Sequence, residues 1–147
     1  MNFLIVTGLS GAGKSMAVNA LEDIGFFCID NIPAGLLPRI LDFAQQGENQ
    51  LSRVAVVMDI RGLHSVQETN EALEALDEKK MPYDILFLDA SDAAIRRRYK
   101  ETRRVHPMTI SEGIPVSEAI TKERQILQPL RERAKYVIDT SLLSTAQ

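Results

Sequence analysis

Short apolar runs alternate along the chain with stretches whose apolar residues recur at helical spacing. Residues 3–7 (FLIVT) form a continuous run, as expected of a strand buried on both faces. Residues 14–24 then carry Met16, Val18, Ala20, Leu21 and Ile24 at helix-like spacing, with Gly25 as the stop. Residues 26–29 predict a second strand. Residues 33–46 predict a helix with Leu36, Leu37, Ile40, Leu41 and Ala44 inside and Gly47 ending it. Residues 54–58 predict a third strand, closed by Asp59. Ser65 and Glu68 suit a capping box for a helix reaching Lys80. Residues 83–88 predict a fourth strand, closed by Asp89, and Ser91 suits the cap of a helix reaching about Val105. Residues 106–115 read as a turn-rich loop. Residues 116–134 read as a helix that Pro129 should kink or interrupt, and residues 136–138 as the last strand.

Strand and helix thus alternate about five times, the pattern of a parallel sheet with helices on both faces. The sequence shows no internal repeat, low-complexity segment or linker. With 147 residues, 45% hydrophobic and 25% charged, it has the size of one domain that buries a core without disulfides or structural metal. That composition excludes a disordered tail, a collagen-like fibre and a disulfide scaffold. No apolar run approaches the roughly 20 residues that cross a bilayer, and no basic segment precedes the first apolar run, so neither a membrane span nor a secretory signal is expected. Cys28 is the only cysteine, which fits a reducing cytoplasm. The formal charge of −3 argues against an obligate nucleic-acid binder, though not against a local basic patch.

Gly8-Leu9-Ser10-Gly11-Ala12-Gly13-Lys14-Ser15 matches G-x-x-x-x-G-K-[ST], which arises by chance in a chain of this length on the order of once in a few hundred. It lies between the first predicted strand and the first predicted helix, where a P-loop must lie. A triphosphate needs many converging N–H donors, hence a loop without bulky side chains, and Gly8, Gly11, Ala12 and Gly13 allow that approach. The helix beginning near Lys14 aims its free N–H groups and positive dipole end at the phosphates. Lys14 adds a full charge toward the β and γ phosphates, and the Ser15 hydroxyl is a candidate Mg²⁺ ligand.

Asp59 ends the apolar run 54–58, the Walker B pattern whose carboxylate holds Mg²⁺ directly or through water. Asp89 ends the run 85–88 and is its rival, although a cap or turn role before the Ser91 helix suits it better. Asp30 closes the second strand and could orient an acceptor hydroxyl or a water, or make an Asx turn before Pro33. All three carboxylates would stand at the C-terminal edge of the sheet, where open α/β folds bind ligands.

Residues 96–104 carry six positive charges in nine positions of an otherwise acidic chain. On a helix Arg96, Tyr99, Lys100 and Arg103 share one face, which could close over phosphates as a lid, hold an RNA backbone, or merely be solvated. The adjoining loop of His106, Pro107, Met108 and Thr109 favours the lid. His64 and His106 are too isolated for a metal site, and Cys28 suits strand core better than a nucleophile. No Asn-Lys-x-Asp guanine reader occurs, so strict GTP specificity has no support. Asp139-Thr140-Ser141 follows the last strand, where many P-loop folds approach the base.

The P-loop, the stretch from Leu21 through Asp30-Asn31-Ile32-Pro33, the Phe87-Leu88-Asp89-Ala90 segment, and Arg98-Tyr99-Lys100-Glu101-Thr102-Arg103-Arg104-Val105-His106-Pro107 together closely resemble the bacterial RapZ/YvcJ family. The resemblance runs on through residues 129–134 to Ile138-Asp139-Thr140-Ser141, nearly the whole chain. The Asp-Asn-Ile-Pro and Glu-Thr-Arg-Arg-x-His-Pro stretches are its specific part. It implies a kinase-like P-loop NTPase domain, a three-layer α/β sandwich that binds and slowly hydrolyses ATP and GTP with Mg²⁺. It places Asp59-Ile60-Arg61-Gly62 at a GTP site. It also implies a further C-terminal domain, linked in the RNase-adapter branch to small-RNA binding and amino-sugar sensing, so that residues 1–147 are expected to be the N-terminal half of a longer protein.

The leading expectation is a regulatory NTPase. Residues Gly8 to Ser15 hold the phosphates, Ser15 and Asp59 hold Mg²⁺, one or more of Arg96, Arg103 and Arg104 stabilise the transferring group, and Asp30 stands near the attacking water or acceptor. The rivals are a small-molecule kinase and a non-catalytic nucleotide switch. A phosphorylated small molecule, an RNA on the basic helix or the further domain, and self-association stay open on the residues alone.

Overall fold

A computed structural model of the chain describes residues 2–30, 32–45, 53–58, 66–78, 82–102 and 105–142. Along these the order is β1 (Asn2–Gly8), α1 (Lys14–Asp23), β2 (Phe27–Ile29), a 3-10 turn (Ala34–Leu36) leading into α2 (Leu37–Gln45), β3 (Arg53–Val57), α3 (Val66–Glu78), β4 (Asp84–Asp89), α4 (Asp92–Thr102), α5 (Pro107–Glu112), α6 (Val116–Arg133) and β5 (Tyr136–Asp139). The strands form one sheet in the order β2-β3-β1-β4-β5, with every described pairing parallel.

Strand position explains the apolar pattern. β3 and β4 are flanked on both sides and bury nearly every residue, as does β1 between them, so their sequences read as continuous apolar runs. The core gathers around Ile5, Val56, Ile85 and Leu88 from the sheet, with Leu41, Leu73, Ile95, Ile120 and Leu127 from the helices. Each such side chain contributes roughly 1.5–3 kcal/mol on leaving water. α1 packs on β1, β2 and β3. α6 packs on β1 and β4 and is met by α3, α4 and α5. The result is a three-layer sandwich of the kinase-like P-loop type.

The topology places the ligand edge. After β1 the chain leaves toward β2 on one side, and after the adjacent β4 it leaves toward β5 on the other. A crevice opens at such a switch point, beyond the carboxyl ends of the strands, and residues 8–15 lie there.

Ser91 does cap its helix, its hydroxyl accepting from the Ala94 N–H at 3.1 Å. Gly25 stops α1 at φ 95°. Two expectations are corrected. The segment 106–115 is not a free turn-rich loop, because it contains α5. His106 caps that helix by accepting the Met108 N–H, Pro107 takes the first helical position, and Gly113 ends it at φ 68°. The Pro and Gly that suggested turns are here the start and stop of a short helix. Pro129 does not interrupt α6 either. Its missing N–H leaves the carbonyl one turn back, on exposed Gln125, where water can serve it. The expected cap at Ser65 lies outside the described residues, as do Asn31 and His64.

Candidate functional site

The turn from β1 into α1 is built by backbone that only glycine adopts without strain. Gly8, Gly11 and Gly13 have φ of 146°, 88° and 101°. A Cβ on Gly8 would run into the Leu88 carbonyl, so β1 and β4 can approach only with glycine at that position. Gly13 precedes α1 without a side-chain cap, and the first turn holds no acidic residue. The leading N–H groups of α1 and its positive dipole end thus receive no side-chain cap from Gly13 and no carboxylate from the first turn.

Lys14 bends back over the loop, its ammonium donating to the Gly8 carbonyl at 2.8 Å and the Leu9 carbonyl at 3.0 Å. Ser15 is exposed at the first turn of α1. Among the described residues no group of three or more His, Cys, Asp or Glu could hold a metal on its own. That donor set still fits a cation carried by a nucleotide, since Mg²⁺ takes most of its oxygens from phosphate and water.

Three buried groups hold the loop from behind. Arg98 donates to the Gly11 carbonyl and the Thr140 hydroxyl, each at 3.0 Å, and also to the Thr140 carbonyl. The Thr140 hydroxyl lies 2.8 Å from the Ala12 carbonyl, which ties the end of β5 to the loop. Glu123, with no exposed surface, accepts the Ser10 N–H at 3.0 Å on both oxygens and the Ser10 hydroxyl at 2.7 Å. Its Oε1 also lies 2.9 Å from Nε2 of His106, equally buried. Tyr99 lies 5.7 Å from the His106 ring, centroid to centroid.

The rival aspartates separate. Both oxygens of Asp89 are engaged, Oδ1 by Arg124 at 3.0 Å and by the following Ala90 N–H at 2.8 Å, Oδ2 by Arg131 at 3.2 Å. Burial disfavours the Arg124 charge, but its bonds to Asp92 and Asp89 outweigh that and hold the guanidinium above its ordinary value. Asp89 thus anchors α6 to the sheet edge. Asp59, Ile60, Arg61 and Gly62 lie outside the described residues, as do Arg103 and Arg104. Asp30 is exposed just beyond β2, at the same edge of the sheet.

The basic helix divides in a way that spacing did not reveal. Arg98 and Tyr99 are buried, while Arg96, Arg97 and Lys100 are exposed, so Tyr99 does not share an open face with Arg96 and Lys100. Arg96 donates to the Ser117 hydroxyl at 3.2 Å. Burial pushes the Cys28 thiol up, with Glu22 adding to the effect, which leaves it unsuited to act as a nucleophile. Glu123 escaped sequence reasoning, although a signal existed. It falls on the stripe of Ala119, Ile120, Leu127 and Leu130 that α6 buries, where a carboxylate is out of place unless bonded.

Fold and loop together define the class: a P-loop, kinase-like α/β domain. The chain belongs to the family of the RapZ-like N-terminal domain, whose model matches residues 1–147. It is 46% identical to a nucleotide-binding protein of Alkaliphilus oremlandii over 147 residues, covering 100% of this chain and 50% of that protein. It is 50% identical to a nucleotide-binding protein of Moorella thermoacetica, covering 98% of this chain and 48% of that one. The chain therefore spans about half the length of the curated relatives it matches. Among solved structures, shikimate kinase from Bacteroides thetaiotaomicron superposes with a TM-score of 0.55 at 16% identity, over 99% of this chain and 91% of that one, a likeness of fold alone.

Proposed function

We propose that this chain is a nucleotide-binding regulatory domain that binds ATP and GTP with Mg²⁺ and hydrolyses them slowly. The observation that carries the reading is the turn itself: a loop with three glycines at positive φ, leading into a helix whose N-cap is glycine and whose first turn holds no acidic residue, at the switch point of the sheet. Such a turn concentrates N–H donors and positive potential where a triphosphate would lie.

In this reading the amides of Gly8 to Ser15 hold the phosphates, those of Gly11 and of Gly13 to Ser15 foremost, because the Leu9, Ser10 and Ala12 N–H groups already donate to Leu88, Glu123 and Leu9. Lys14 turns its ammonium from the loop carbonyls onto the phosphates. Ser15 and Asp59 would hold Mg²⁺, which neutralises phosphate charge when bound. Arg96, Arg103 and Arg104 are the candidates to stabilise charge on the transferring group. Asp30 orients the attacking water. Slow turnover follows if the arginines are not held over the phosphates until a partner or a further domain completes the site. The family match and the nucleotide-binding names of the relatives support nucleotide binding, and the loop chemistry extends it to hydrolysis.

The test is Mg²⁺-dependent phosphate release from ATP and GTP by the 147-residue chain. Slow release from both, lost in Lys14→Ala while the fold survives, is the expected result; unchanged turnover in that variant sinks the assignment. A second reading, phosphoryl transfer to a small acceptor, rests on the exposed Asp30 at the ligand edge. It predicts ATP consumption stimulated by one metabolite.

A further inference from the structure

One peptide of the loop is held at both ends. The Leu9 carbonyl accepts from the Lys14 ammonium and from the Ala12 N–H, each at 3.0 Å, and the N–H of the same peptide, that of Ser10, donates to Glu123 at 3.0 Å. Glu123 in turn accepts from His106 Nε2 at 2.9 Å. Nδ1 of His106 accepts the Met108 N–H at 3.0 Å, which leaves Nε2 as the ring nitrogen that donates to Glu123. A continuous chain of hydrogen bonds therefore runs from the phosphate-reading lysine through the Leu9–Ser10 peptide, Glu123 and His106 into the first turn of α5.

The inner groups of this chain have little alternative in water. Glu123 and His106 have no exposed surface, and Ser10 is 9% exposed. A buried carboxyl group depends on the donors it is given, here the Ser10 N–H and O–H and the imidazole N–H. Displacing the Leu9–Ser10 peptide removes two of the three. The carboxylate must then follow the peptide or be left short of donors, and His106 must follow the carboxylate. Met108 packs against Ala119 on α6, while Ile110 on the other side of α5 is 74% exposed. α5 thus joins the buried relay to the exposed surface at Ile110.

We propose that Glu123 and His106 are positioning residues that couple the state of Lys14 to the placement of α5, so that phosphate occupancy of the loop is read out at the α5 surface. The coupling to phosphate rests on the nucleotide-binding reading above; the coupling between Lys14 and α5 does not. The physical requirement is a differential interaction, and Lys14 supplies it, since an ammonium drawn onto phosphates leaves the carbonyl end of the shared peptide one donor, the Ala12 N–H, in place of two.

Native-state amide exchange on the whole chain separates the two. Without nucleotide, Lys14→Met removes the charged one of the two donors that hold the Leu9 carbonyl and leaves the Ala12 N–H. The Ser10 and Met108 amides should then exchange at least threefold faster relative to Ile5 and Val56 in the sheet. In a Glu123→Gln background the Met108 response to Lys14→Met should vanish. A merely structural glutamate would speed exchange of all these amides alike and leave that response in place. Should Glu123→Gln fail to fold, His106→Asn keeps a capping oxygen for α5 but cannot span to Glu123, and it should abolish the same response. No Met108 response to Lys14→Met, or one that survives both backgrounds, overturns the relay. A second titration uses Mg²⁺ with adenylyl imidodiphosphate. Binding that shifts Met108 exchange supports the coupling to phosphate, and binding that leaves Met108 unmoved overturns it. No binding at all, with the Lys14→Met response intact, overturns the nucleotide reading and leaves the relay standing.

Discussion

The Arg98 guanidinium reaches the Thr140 hydroxyl at 3.0 Å, and the same nitrogen donates to the Gly11 carbonyl. One buried cation thus joins α4, the end of β5 and the phosphate loop, and it makes Arg98 a structural residue within a segment whose other described arginines face solvent. Arg98→Ala should cost about 3 kcal/mol, the scale of losing charged hydrogen bonds to buried acceptors. Arg97→Ala, whose partner Glu101 lies 3.9 Å away and is half exposed, should stay within about 0.5 kcal/mol. Urea unfolding midpoints of the two variants check the contrast. Equal costs would show that the Arg98 staple adds nothing.

Gly8 and Gly13 are both at positive φ, but their surroundings differ. Gly8→Ala adds a collision with the Leu88 carbonyl, whereas nothing lies within 4 Å of a Cβ on Gly13. Gly13→Ala should cost about 1–2 kcal/mol of backbone strain, and Gly8→Ala distinctly more, on the order of 3 kcal/mol or above. Thermal or urea denaturation of the pair measures this directly.

Asp89→Asn should destabilise the fold by about 2 kcal/mol, because it takes the carboxylate from Arg131 and leaves Arg124 only that of Asp92. The Mg²⁺ concentration giving half-maximal phosphate release should not change. Asp59→Asn should raise that concentration. A raised Mg²⁺ requirement in Asp89→Asn instead would return Asp89 to the metal site.

Asp77 is held below the usual carboxylate range, chiefly by its hydrogen bond from Arg133 at 2.6 Å. A carboxyl depressed on folding contributes stability that is present above its unfolded value near 3.9 and lost as pH falls through the folded value. Asp77→Asn should therefore lower stability slightly at neutrality and flatten the profile below about pH 4, so that the variant and the parent chain converge in acid. The effect is small, since both partners are near half exposed. Tyr83, pushed up first by burial and then by Asp77, acts with the opposite sign. Its contribution is present below the unfolded value and lost as pH rises through the folded one, so Tyr83→Phe should flatten the alkaline limb.

Much of this molecule was legible in the residues. The runs around Ile5, Val56 and Ile85 announced strands buried on both faces, and the glycine-rich motif ending in Lys14 and Ser15 announced the turn between β1 and α1. What pattern could not supply was pairing over long distances. Ser10 and Glu123 are 113 positions apart, and Arg98 and Gly11 are 87 apart. Neither partner signals the other. His106 looked isolated because its neighbours are contributed by α6, and Arg98 looked like one more surface arginine because charge count does not tell which way a helix turns. α5 was hidden for a local reason, its Pro107 and Gly113 being turn residues as much as helix boundaries.

The central claim is that residues 11–15 hold the phosphates of a nucleotide, and amide chemical shifts during titration with the Mg²⁺ complex of a non-hydrolysable ATP analogue test it most directly. The account predicts saturable shifts, largest at Gly11 to Ser15, that are lost in a folded Lys14→Ala variant. Saturable binding whose shifts fall elsewhere, or a folded wild-type chain that binds no analogue, would contradict it.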